Sequence, residues 1–215
     1  MDESALRQLL IDAAQGSVRL GLNRGTSGNL SARVPGGFLV TPTGVAYGDL
    51  APADLVRLDA HGVAAPGQLK PSSEWRFHCD IYAARPDVGA IVHTHSRYAS
   101  ALACQRRALP AFHYMIALAG GDSVRCAQYA TFGSAQLSAN ALAALEDRHA
   151  CLLANHGLIA TGADMKHALA LAEEIESLAA QYCAALASGT PVLLDAAEMA
   201  RVLEQFKTYG VQNAP

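Results

Sequence analysis

Two short aliphatic runs constrain this chain more than any other feature. GAIVHTH is apolar and β-branched over Ala90–Val92 and then alternates histidine with threonine, while ACLLANHGLIA carries apolar arms on both sides of Asn155-His156-Gly157. Continuous apolar runs of this length read as strands buried on both faces, ending here in polar groups. Such strands need helices above and below them. The chain offers several. Leu6, Leu9, Leu10, Ala13, Ala14 and Leu20 recur at near-helical spacing, predicting a helix over Ser4–Leu20 that stops at Gly21. PSSEWRFHCDIYAARP begins with capping serines, sets Trp75, His78, Ile81 and Tyr82 on one face and ends before Pro86. The run from Asp164 to Ser188, closed by Gly189, is a long amphipathic helix with Met165, Leu169, Ala172, Ile175, Ala179, Tyr182 and Leu186 inward. Further β-like runs fall at Gly37–Thr41 and Leu55–Asp59, and GLNRGTSGNLSARVPGG reads as a polar, glycine-rich binding loop. The fold class is therefore α/β or α+β, with helices covering a sheet.

At 215 residues, with 51% hydrophobic and 16% charged positions, one compact domain over residues 1–215 is expected, with neither repeat nor linker. Sixteen basic residues against 19 acidic ones give a net charge of −3, which offers no long-range attraction to nucleic acid or an anionic membrane. No apolar stretch nears the ~18–20 residues a membrane helix needs. Asp2 and Glu3 precede the first base, unlike a signal peptide, so a cytoplasmic location is expected. Five scattered cysteines (79, 104, 126, 151, 183) without C-x-x-C fit reduced thiols.

His93 and His95, at i and i+2 of a strand, leave the same face with Cα atoms roughly 6.5 Å apart. His156, in a glycine-flanked turn beyond another apolar run, adds a third imidazole, and three imidazoles suit a catalytic Zn²⁺ with a fourth position open. A set of buried, hydrogen-bonded histidines is the competing reading. His61, His78, His113, His149 and His167 read as surface or hydrogen-bonded residues, and Lys70 as a surface residue. Ser72 and Ser73 open a helix, where free N–H groups favour an anion, although plain N-capping is the simpler reading of this segment alone. The loop around Gly25–Asn29 and the Thr43-Gly44 turn hold further donors for a phosphate; neither a Walker loop nor G-x-G-x-x-G is present, so nucleotide binding is not supported.

GLNRGTSGNLSAR, TPTGVAYGDL, PSSEWRFH, VGAIVHTHS, LPAFHYMIALAGG, YATFGS, NHGLIATG and FKTYG occur together and in order. With them the chain resembles the class II aldolase/adducin family from about Leu6 to Gly210. The resemblance implies a three-layer α/β/α fold and a homotetramer with active sites at subunit interfaces. It implies one Zn²⁺ per subunit on His93, His95 and His156, with Glu74 as fourth ligand or catalytic base. A substrate phosphate would lie against Thr26, Gly28, Asn29, Thr43, Gly44, Ser72 and Ser73, and Tyr114 and Tyr209 would act as tyrosines beside the aldehyde. The implied reaction is reversible cleavage of a ketose 1-phosphate, such as fuculose 1-phosphate or a 5-deoxy- or 5-methylthio-ribulose 1-phosphate, into dihydroxyacetone phosphate and an aldehyde. Related dehydratases and 4-epimerases are rivals, the latter carrying Asp where Glu74 stands; an adducin-like binding module without catalysis is the rival of another class. The family pattern is departed from at Ser96-Arg97, Ala154-Asn155 and Val211–Pro215, positions that could face the aldehyde.

Overall fold

The computed structural model describes residues 2–208. The predicted first helix is α1 (Glu3–Arg19), capped by the Asp2 carboxylate accepting from Ala5 N–H at 2.7 Å. The polar stretch read as a loop conceals a strand, β1 (Asn29–Val34), followed by β2 (Gly37–Val40) and β3 (Val56–Asp59). Then come α2 (Trp75–Ala84), β4 (Ala90–Thr94), α3 (Arg97–Cys104), β5 (Arg125–Ala127), α4 (Ala135–Ala144), β6 (Ala150–Leu153), β7 (Gly157–Gly162), α5 (Met165–Ser188) and α6 (Ala196–Phe206). β1 escaped sequence reading because Asn29, Ser31 and Arg33 break its apolar pattern. Asn29 and Ser31 are nevertheless buried, their polar groups bonded to a helix laid over them. As expected, α5 begins at an Asp164 cap and ends at Gly189; Leu169 and Leu186 are only partly buried, while Ala168, Leu171 and Leu178 complete its inner face.

Seven strands form one sheet in the order β3-β2-β1-β4-β7-β6-β5, antiparallel throughout except for the β5–β6 pair. Alternating side chains divide the core in two. Leu30, Ala32, Val92, Leu158 and Ala160 pack with α1, α3 and α5 on one face. Ile91, Cys151, Leu153 and Ile159 pack with Phe77, Ile81, Leu137 and Ala141 of α2 and α4 on the other. This is the three-layer arrangement, with β4 and β7 at its centre. All five cysteines are free. Among the described residues, no helix is long and apolar enough to cross a membrane.

Candidate metal centre and phosphate cleft

Strand register assembles the centre. In the β1–β4 pair Asn29 lies opposite His93, and in the β4–β7 pair His93 lies opposite Ile159. His95 stands one residue beyond the end of β4, and strand alternation puts it on the side of His93. The β6–β7 hairpin delivers His156, whose N–H donates to the Leu153 carbonyl at 3.0 Å. Asn155 turns that corner at φ 55°, a left-handed conformation asparagine tolerates better than most residues. Gly157 follows for lack of room: a Cβ there would lie 2.2 Å from the Thr94 carbonyl oxygen. Asn23 fastens the histidine pair from behind, its Oδ1 accepting from His95 N–H at 3.2 Å and its Nδ2 donating to the His93 carbonyl at 3.4 Å.

Glu74 occupies the N-cap position of α2, yet its side chain makes no capping bond. Ser72 Oγ accepts from Glu74 N–H at 3.2 Å, so the expected serine cap falls two residues before the helix N-cap and the carboxylate is free to face inward. Glu74 Oε2 lies 3.2 Å from His93 Nε2, Oε1 lies 3.3 Å from His156 Nε2, and His93 and His95 bring their Nε2 atoms to 3.0 Å. One ligand atom from each of Glu74, His93, His95 and His156 falls within 4.8 Å of the others.

The donor set fits a metal ion. Four ligands placed tetrahedrally at bonds of ~2.0–2.1 Å are separated by ~3.3–3.4 Å, close to the shortest spacings seen. The Leu158 carbonyl, an acceptor only, lies 2.9 Å from His93 Nδ1, which fixes the proton there and leaves a lone pair on Nε2. Burial, reinforced by His93, pulls His95 and His156 down to about 4, so both rings are neutral ligands at neutral pH. Burial works against ionisation of Glu74, but His93 and the Asn29 amide outweigh it and hold the carboxyl below the usual range. Its Oε1 is buried without a hydrogen-bond partner. A carboxylate oxygen left so is costly unless a cation answers it.

A cleft of about 330 Å³ opens beside these donors, and Thr26, Gly28, Asn29, Thr43, Ser72 and Ser73 all line it. Gly44 does not; at φ 73° it turns the chain just after Thr43. Tyr129 and Phe132 also line the cleft and are half-exposed or more, residues that no spacing rule singled out although both lie in YATFGS. Of the variant positions, Asn155 reaches the cleft, whereas Ser96 is buried and donates to Glu176 Oε2 at 2.7 Å. Tyr114 is 47% exposed and lines a separate groove with His113, Val202 and Phe206. Tyr209 and Val211–Pro215 lie outside the described residues.

Residues 8–183 match the model of the class II aldolase and adducin N-terminal domain. The chain belongs to the class II aldolase/adducin family. It is 58% identical over 206 residues to the 5-methylthioribulose-1-phosphate/5-deoxyribulose-1-phosphate aldolase of Rhodospirillum rubrum, covering 96% of this chain and 93% of that one. It is 47% identical over 213 residues to the L-fuculose phosphate aldolase of Escherichia coli K12, covering 99% of each. A solved L-fuculose 1-phosphate aldolase superposes with a TM-score of 0.92 at 42% identity, covering 96% of this chain and 98% of that one.

Proposed function

We propose that this protein is a zinc-dependent aldolase that reversibly cleaves a ketose 1-phosphate into dihydroxyacetone phosphate and an aldehyde, with 5-methylthioribulose or 5-deoxyribulose 1-phosphate preferred to fuculose 1-phosphate. One observation carries the reaction class: the buried oxygen of Glu74 without a partner, surrounded by three imidazoles at the edge of a cleft rich in hydroxyl, amide and backbone donors. The preference among ketoses rests on the 58% identity to the Rhodospirillum enzyme against 47% to the Escherichia one.

Zn²⁺ on His93, His95 and His156, with Glu74 as fourth ligand, would supply Lewis acidity worth several kcal/mol to the charge that develops as the carbon–carbon bond breaks. The chain's own residues do the rest. Thr26, Gly28, Asn29, Thr43, Gly44, Ser72 and Ser73 would hold the phosphate, and that grip decides which carbon meets Glu74. In cleavage the C4 hydroxyl proton passes to the Glu74 carboxylate, the C3–C4 pair moves toward the C2 carbonyl, and the aldehyde departs; Glu74 then delivers that proton to C3. A positioned acid or base of this kind contributes about 10²–10⁴-fold.

Residues 1–215 act as one domain in this reading, and the enzyme works in the cytoplasm as a homotetramer. Support for the assembly comes from Tyr114, which lies outside its own chain's cleft and would serve a neighbouring subunit's aldehyde, with Tyr209 as a C-terminal tyrosine by the site. The test is dihydroxyacetone phosphate release from the three ketose phosphates, repeated after zinc removal and in Glu74→Gln. Activity retained in both controls overturns the mechanism.

A further inference from the structure

Behind Glu74 runs a file of polar side chains, three of which, Ser31, His78 and Tyr82, have no part in metal or phosphate binding. Asn29 Nδ2 donates to Glu74 Oε2 at 3.0 Å; Asn29 Oδ1 lies 2.5 Å from His78 Nε2. His78 Nδ1 lies 2.7 Å from Ser31 Oγ, which lies 2.8 Å from the Tyr82 hydroxyl. All five are buried, Ser31 and His78 completely. Asn29 and Ser31 alternate onto one face of β1, and His78 and Tyr82, four apart on α2, meet them from above.

Chemistry fixes the direction of every bond in the file. A carboxylate only accepts, so the Asn29 NH₂ faces Glu74 and its oxygen faces His78. A carboxamide oxygen only accepts, so His78 carries its proton on Nε2. Burial, with His93 adding to it, drives the His78 ring far toward neutrality, down to about 3. Nδ1 is therefore an acceptor, Ser31 donates to it, and Tyr82 donates to Ser31. The carboxylate at one end thus sets the Asn29 amide and, through it, the His78 tautomer, whose Nε2–H in turn anchors the Asn29 oxygen.

We propose that His78 is a positioning residue for the aldol reaction: by holding the Asn29 carboxamide in one orientation, it keeps Glu74 Oε2 engaged and Oε1 aimed, unpartnered, at the metal site. Without the Nε2–H donor the buried Asn29 oxygen loses its partner, and the carboxamide is free to turn out of line and release Glu74 Oε2. The inference rests on the aldolase reading for its kinetic consequence alone. The competing role is packing, since Phe77 stacks on His78 at 4.5 Å between ring centroids.

Three proteins test it. His78→Leu keeps apolar bulk and removes the donor; His78→Gln keeps an N–H near the Nε2 position. In chelator competition, His78→Leu is expected to bind zinc ~10–100-fold more weakly, with kcat at saturating zinc reduced by about 10²-fold and KM nearly unchanged. His78→Gln should restore most of both. ¹⁵N NMR of the histidine-labelled, metal-free wild type should show His78 protonated on Nε2 only. Unaltered zinc affinity and kcat in His78→Leu, a glutamine variant as poor as the leucine one, or an Nδ1-protonated His78 each overturns the proposal. If His78→Leu does not fold, Ser31→Ala, which frees the tautomer, together with the NMR assignment decides. Failure of wild type to release dihydroxyacetone phosphate from any ketose phosphate refutes the aldolase reading instead, and the zinc and NMR measurements still judge His78.

Discussion

Replacing Gly28 with alanine should damage the metal centre from a position that supplies no ligand. Gly28 sits at φ 75°, and a Cβ there would fall 2.3–2.6 Å from Oδ1, Cγ and Nδ2 of Asn23. Asn23 is only 1% exposed and cannot step aside into solvent. Moving it breaks the bonds to His95 N–H and the His93 carbonyl, together with a 3.3 Å bond to Ser17 Oγ. A left-handed conformation costs a residue with Cβ roughly 1–2 kcal/mol, and stranding the buried groups of Asn23 and its partners adds roughly 2–3 kcal/mol. Gly25, at φ 58° with nothing within 4 Å of a Cβ, is the matched control, because alanine there meets only the backbone term. At ~2–4 °C per kcal/mol for a chain of this size, Gly28→Ala should melt about 4–12 °C below Gly25→Ala. Differential scanning calorimetry of the two metal-free variants measures that gap, and zinc titration should show weakened binding only in Gly28→Ala. Two variants that melt together and bind zinc alike would refute the role given to Asn23.

Glu176 accepts from Ser96 Oγ at 2.7 Å and from Tyr98 and Ala99 N–H at 2.8 Å, tying α5 to the start of α3, so Glu176→Ala should lower unfolding free energy by about 2–4 kcal/mol in urea titration. His78, His95 and His156 are all held below their usual value, which means the unfolded chain binds more protons than the folded one as the pH falls from 6.5 toward 4. Stability of the metal-free protein should therefore drop across that window, by up to ~1.4 kcal/mol per pH unit for each such histidine; a flat urea midpoint between pH 7 and pH 5 would contradict it. Saturating zinc at ~1,000 times its Kd should add ~4 kcal/mol, seen as a raised melting temperature that a chelator reverses. Glu74→Gln should keep the fold and lose about 10²–10⁴-fold in kcat for ketose phosphate cleavage.

The sequence alone settled whatever depends on near neighbours. Periodicity delivered α1, α2 and α5; the apolar runs gave β4 and the β6–β7 arms; the i, i+2 spacing gave two imidazoles on one face. The glycine-flanked turn after an apolar run added His156, and eight ordered motifs added the family and, with it, Glu74 as their companion. Tertiary structure decided the rest, because it turns on pairings between residues far apart in the chain. β1 looked like a loop since its polar residues make sense only once α2 covers them, and the Asn29–His93 register exists only when β1 lies against β4. His78 read as an ordinary helical histidine until Ser31 and Asn29, 47 and 49 positions away, closed on its two nitrogens. Tyr129 and Phe132 entered the cleft, and Tyr114 stayed out of it, for the same reason. Local propensity is written in consecutive residues, whereas a hydrogen bond across a buried interface is specified by two distant segments and by the water that their packing excludes.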